Sequence, residues 1–227
     1  MKEKKLLLAC WLIGASLTGA INSGSIAKVA IDRSYTRSPN SLAQTQDLSK
    51  ATLTLQDLPP GFTREVSQEE NFKNMLNQKQ RGFKPETVFA FQNIVQQKYF
   101  QLVLGFTVLA PGELDRAGFD AVLSEYNFAE KLTAALKDGN SANLGKVTTL
   151  PLPDNLGKFS AGWTVRGTMQ GIPVRMDVGI FGRGKLVAAL LTLYVEGNNS
   201  IVPIEGLARK LDDRLIELMP PTSTEPQ

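Results

Sequence analysis

Histidine is absent from the 227 residues, and cysteine occurs once, as Cys10. These two absences exclude Ser-His-Asp and Cys-His catalysis, His- or Cys-ligated zinc and His-ligated haem. They also exclude dithiol redox chemistry and a structural disulfide within the chain. Any enzyme chemistry would have to rest on carboxylates or lysine. Charge of one sign is lacking too: 25 basic side chains stand against 22 acidic ones, a formal net of +3. Residues 1–20 hold three of the lysines and one of the glutamates, so the remainder is almost neutral. A nearly neutral body gives no electrostatic footprint for nucleic acid. The sequence assigns no catalytic residue, no metal ligand and no cofactor.

What is present begins with a basic stretch, Met1 to Lys5, followed by the apolar run Leu6 to Ala20. Thr18-Gly19-Ala20 offers small side chains at the cleavage positions. This is the pattern of a secretory signal peptide over residues 1–20, with an uncleaved anchor as the alternative. Leu7-Leu8-Ala9-Cys10 also fits the letters of a lipidation motif, but the apolar segment before it is short. Residues 21–50 are polar and aperiodic and read as a disordered spacer. The chain is therefore expected in an exported setting, a periplasm or lumen-like compartment, with tethering through its N-terminus open.

A single α+β domain is expected over residues 51–219, with residues 220–227 as a loose tail. Ser67 to Glu70 has the form of a capping box opening a short helix whose buried stripe is Phe72, Met75 and Leu76. Gly82 is expected to close it. Val88 to Val95 and Tyr99 to Leu109 predict a hairpin. Phe119, Val122, Leu123 and Tyr126 fall at helical spacing, as do Phe128, Leu132, Ala135 and Leu136. Lys146 to Leu152 reads as an edge strand. Pro203 opens a final helix with the apolar stripe Ile204, Leu207, Ala208, Leu211, Leu215 and Leu218. Arg209, Lys210, Asp212, Asp213, Arg214 and Glu217 are placed on its outer side. An antiparallel sheet with helices packed mainly on one face follows from this order of elements.

Phe159 to Glu196 organises the rest. Alternation from Trp163 to Met169 and from Ile172 to Ile180 predicts two half-buried antiparallel strands around a Gln170-Gly171 turn. That turn sets Met169 opposite Ile172, Val165 opposite Met176, Arg166 opposite Arg175 and Thr164 opposite Asp177. Leu186 to Leu191 is apolar on both faces, as a central strand would be. Two arginines face to face destabilise a sheet unless something neutralises them. Either Asp177 shares their charge on a solvated face, or Arg166 and Arg175 form an anion site. Thr164, Thr192 and Tyr194 would add donors to that site from the same face.

Other motifs fall away on context. Gly179 to Leu186 approaches the spacing of a phosphate loop, but Leu186 stands where a Ser or Thr must hold magnesium, and a strand follows where a helix is needed. Ser25 to Lys28 matches the letters of Ser-Lys acylating enzymes only by chance. The pairs Glu69-Glu70 and Asp212-Asp213 lie on predicted helix surfaces and make no paired-carboxylate site.

The segment Leu53-x-Leu55-x-Asp57-Leu58-Pro59-Pro60-Gly61-Phe62, behind a signal peptide and spacer, resembles the start of uncharacterised exported bacterial envelope domains. The layout from about Leu53 to Leu218 is similar in topology to the PsbP/Mog1-like α/β sandwich. That resemblance implies a binding or assembly role and no activity. The expectation is a non-enzymatic domain whose partner is an envelope protein or membrane-associated complex. The alternative is a carrier of a small anionic ligand or lipid, anchored by Arg166 and Arg175. A carboxylate-only hydrolase ranks third.

Overall fold

The computed structural model describes residues 47–79, 85–95, 99–110, 115–125, 142–169 and 171–219. The signal peptide, the spacer apart from residues 47–50, Gly82, the helical spacing from Phe128 to Leu136 and the tail lie outside the described residues, as does Gln170. Seven antiparallel strands form the sheet: β1 (Thr63–Arg64), β2 (Pro85–Val95), β3 (Tyr99–Leu109), β4 (Ala142–Thr149), β5 (Phe159–Met169), β6 (Ile172–Arg183) and β7 (Leu186–Val195). Their spatial order is β1-β2-β3-β7-β6-β5-β4. Among the described residues three α-helices accompany them: α1 (Val66–Lys79), α2 (Arg116–Glu125) and α3 (Ile204–Leu218). The fold is α+β.

The pattern of β7 explains its place. It is the fourth of seven strands, between β3 and β6. Leu191 and Leu193 join one buried cluster, and Leu186, Ala188 and Leu190 join another. Successive residues of a strand point to opposite faces, so the two clusters lie on opposite sides of the sheet. The β5–β6 register is the expected one: Met169 pairs with Ile172, Val165 with Met176, Arg166 with Arg175 and Thr164 with Asp177. Gly171 carries the turn at φ 79°, where a side chain would be strained.

Helices occupy both faces: α1 and α2 lie over one, and α3 covers the other. Ile204, Leu207, Ala208, Leu211 and Leu215 of α3 pack into the cluster with Phe89, Phe181 and Leu190. Phe72 of α1 packs into the opposite cluster, beside Leu102, Leu104 and Val165. In α2, Phe119 stacks on Phe159 with ring centroids 5.8 Å apart. The reason is that β7 is apolar in both alternations from Leu186 to Leu191, with Val103 of β3 and Phe181 of β6 beside it on the α3 side, so each face needs its own cover.

Three expectations change. α1 begins at Val66, so Ser67 is inside the helix and does not cap it. Two acids expected on helix surfaces are buried, Glu69 and Asp212. The edge strand starts at Ala142 and ends at Thr149, earlier than the Lys146 to Leu152 reading.

The segment that leads into the sheet is locked between α3 and the β2–β3 hairpin. Ala51, Leu53, Leu58 and Phe62 are core residues on the α3 side. The hydroxyls of Thr87 and Thr107 lie 2.7 and 3.0 Å from the Ala51 carbonyl oxygen. Arg214 of α3 donates to the Thr52 carbonyl and pairs with Asp57 at 2.7 Å.

Candidate functional site

One face of the sheet changes character along its strands. Rows of register partners make this visible. Gly162, Gly179 and Leu190 form one row, with Leu152 and Ile204 over the glycines. A Cβ on Gly162 would sit 2.6 Å from the Leu150 carbonyl oxygen and 2.9 Å from Leu152 Cγ, so this row has to be small. The next row is Thr164, Asp177 and Thr192, and the one after it is Arg166, Arg175 and Tyr194. The six residues singled out from the sequence therefore lie on adjacent rows of one face.

Asp177 is the centre of this group. Its side chain is 7% exposed. Oδ1 accepts from the Thr164 hydroxyl at 2.5 Å and from Arg175 Nε at 2.9 Å. Oδ2 accepts from the Tyr194 hydroxyl at 2.9 Å. A buried carboxylate with three donors is a satisfied one. It is not on a solvated face, which corrects that reading. Arg175 also lies 5.8 Å from the centroid of the Tyr194 ring, in cation–π range.

Titration follows from this packing. Burial, first, then the hydrogen bond to Asp177, pushes the Tyr194 hydroxyl well above its ordinary value near 10. Burial works against the Arg175 charge, but the hydrogen bond and the charge of Asp177 outweigh it, and the pKa rises. Neither group gives up a proton near neutrality, so neither is suited to general acid–base work there.

Arg166 is neutralised separately. Its Nε donates to Glu196 Oε1 at 3.0 Å, and its side chain is 54% exposed. Glu196 was not singled out from the sequence. Its hint is position: it follows the last residue of β7, and its amide bonds back to the Pro173 carbonyl at 2.9 Å. Thr192 Oγ1 and Glu196 Oε2 are buried atoms without a hydrogen-bond partner among the described residues.

Lys146 was likewise missed as a neighbour of this group. Leu144 pairs with Gly167 and Val147 with Val165, so Gly145 and Lys146 together stand opposite Arg166. That is a β-bulge. Leu144 and Val147 both face the α1-side cluster although they are three residues apart. Lys146 is exposed, at a register position opposite Arg166. Apolar residues at i and i+3 around a glycine were the available signal.

The other buried acids are built the same way at separate places. Glu69 takes both Arg64 Nε and Nη2, at 2.8 and 2.7 Å, and the Ala90 amide at 3.2 Å. It thus closes the β2 edge beyond the short β1. Asp212 of α3 takes Arg183 Nε and Nη2, at 2.6 and 2.7 Å, and the Gly157 amide at 3.0 Å. Gly184 and Lys185 form the tight β6–β7 turn, Gly184 at φ 58°, where a phosphate loop would need a helix to start.

Among the described residues, no three His, Cys, Asp or Glu side chains group to hold a metal ion, and no helix is long and apolar enough to cross a membrane. No protein-family model, curated protein or solved structure matches the chain.

Proposed function

We propose that the chain is an exported, non-enzymatic binding or assembly domain that engages an envelope protein or a membrane-associated complex. The observation that carries this reading is the fate of the buried acids. Glu69, Asp177 and Asp212 each sit with their own arginine and at least one further donor. A carboxylate held that way is a structural brace, and acid–base catalysis by carboxylates needs two with divided roles at one place. The leader and spacer read from residues 1–50 support an exported setting, with the folded part held at a distance from the membrane.

Photo-crosslinking in intact cell envelopes tests the proposal. Reproducible capture of one protein partner, lost on unfolding, is expected. Absence of any specific adduct from probes spread over every exposed face of the sheet and α3 would overturn it. Native mass spectrometry of the same material separates the carrier alternative, which requires a small mass released on denaturation.

A further inference from the structure

The bulge in β4 gives the polar end of this face a row of three cations. Lys146 on β4, Arg166 on β5 and Arg175 on β6 follow one another across adjacent strands. Neighbouring strands are about 4.8 Å apart, so the backbone positions of the three residues lie within roughly 10 Å. The two guanidiniums turn Nε toward internal acids, Glu196 and Asp177. Both Nη atoms of Arg166, and Nη1 of Arg175, have no hydrogen-bond partner among the described residues. Lys146 has no ion-pair partner among them either. Planar guanidinium forks match the two oxygens of a carboxylate.

Resting on the binding reading above, we infer that this row docks an acidic segment of the partner protein. The shape of the charge decides for a chain over a bilayer. The row is one side chain wide, and Glu196 flanks it at the end of β7. An anionic membrane meets a two-dimensional basic patch, which a single row does not make. A linear segment can lie along the row and leave over the open β4 edge. The bulge serves docking in a second way: an irregular edge carrying a lysine resists strand addition, so the segment is held by side chains on the face.

The test uses the full chain and a fluorescein-labelled peptide of alternating Glu and Ser, followed by anisotropy. Lys146→Glu removes one cation without touching either internal ion pair, and Lys146→Glu/Arg166→Gln removes two. The single variant should bind at least about fivefold more weakly and the double variant at least about tenfold, with a shallower salt dependence. Arg209→Glu on the exposed side of α3 makes the same charge change elsewhere and should stay within about twofold. Equal binding by all variants overturns the inference. So does binding of phosphatidylglycerol vesicles, in place of the peptide, that the same substitutions abolish. If Lys146→Glu/Arg166→Gln still captures the wild-type partner in envelopes at full yield, the docking row fails while the binding-domain proposal stands.

Discussion

The two halves of the α3-bearing face are made from the same three strands and are stabilised by opposite means. Under α3, even positions of β7 read Leu186, Ala188 and Leu190, and Phe181 of β6 joins them in an apolar core. Two residues further on, the same alternation reads Thr192 and Tyr194 on β7, with Asp177 and Arg175 beside them. Gly162 and Gly179 mark the boundary, where Leu152 and Ile204 come close to the sheet. The apolar half is held by area removed from water and tolerates approximate chemistry. The polar half is held by matched donors and acceptors, so removing one member leaves others unsatisfied.

Breaking the polar half at its centre gives the largest expected effect. Asp177→Ala strands Arg175, Thr164 and Tyr194 and should cost about 3–5 kcal/mol in urea unfolding. A loss near 1 kcal/mol would show that water replaces the carboxylate. In the apolar half, Leu211→Ala should cost about 2–4 kcal/mol, set by how far α3 can collapse into the cavity. If both variants lose the same amount with the same urea dependence, the two halves unfold as one unit.

Tyr194 sharpens the contrast through pH. The folded state holds its hydroxyl protonated to higher pH than the unfolded chain does. Its contribution is therefore complete below the unfolded value near 10 and is lost as pH rises from there toward the folded value. Wild type should lose stability above about pH 10 more steeply than Tyr194→Phe, read as urea midpoints across that range. Parallel curves would remove Tyr194 from the network. The smallest effect belongs to the rim. Arg166 and Glu196 are both substantially exposed, and Arg166→Gln should change stability by less than about 1 kcal/mol. A larger loss would place the pair inside the network.

Periodicity made the centre of the fold legible before any coordinates. Met169 to Ile172 is a tight turn because Gly171 accepts a positive φ, and every later pair in that hairpin follows from it. β7 had to be central because it is apolar in both alternations. The same signal could not say that both faces carry helices, since it shows that a face is apolar and not which element covers it. The site residues were legible as a set, because they share one alternation. Their roles were not. Alternation leaves Asp177 either a solvated charge or part of an anion site, and only the packing of Thr164, Tyr194 and Arg175 around it makes it buried and satisfied. Glu69 and Asp212 looked like surface acids because a helix shows no burial in its own letters when the partner lies elsewhere. Arg183, which pairs with Asp212, is 29 residues away.

By itself, the order of residues determined the strands of the meander, their register, the central place of β7 and the apolar stripe of α3. These are local consequences of a period of two or 3.6 and of turns only glycine accepts. Tertiary structure alone decided which acids are buried, which arginine answers each, and that a bulge brings Lys146 beside Arg166. Charge pairing depends on distance in space, and desolvation depends on what lies above a residue. Neither quantity exists until the sheet has closed under its helices.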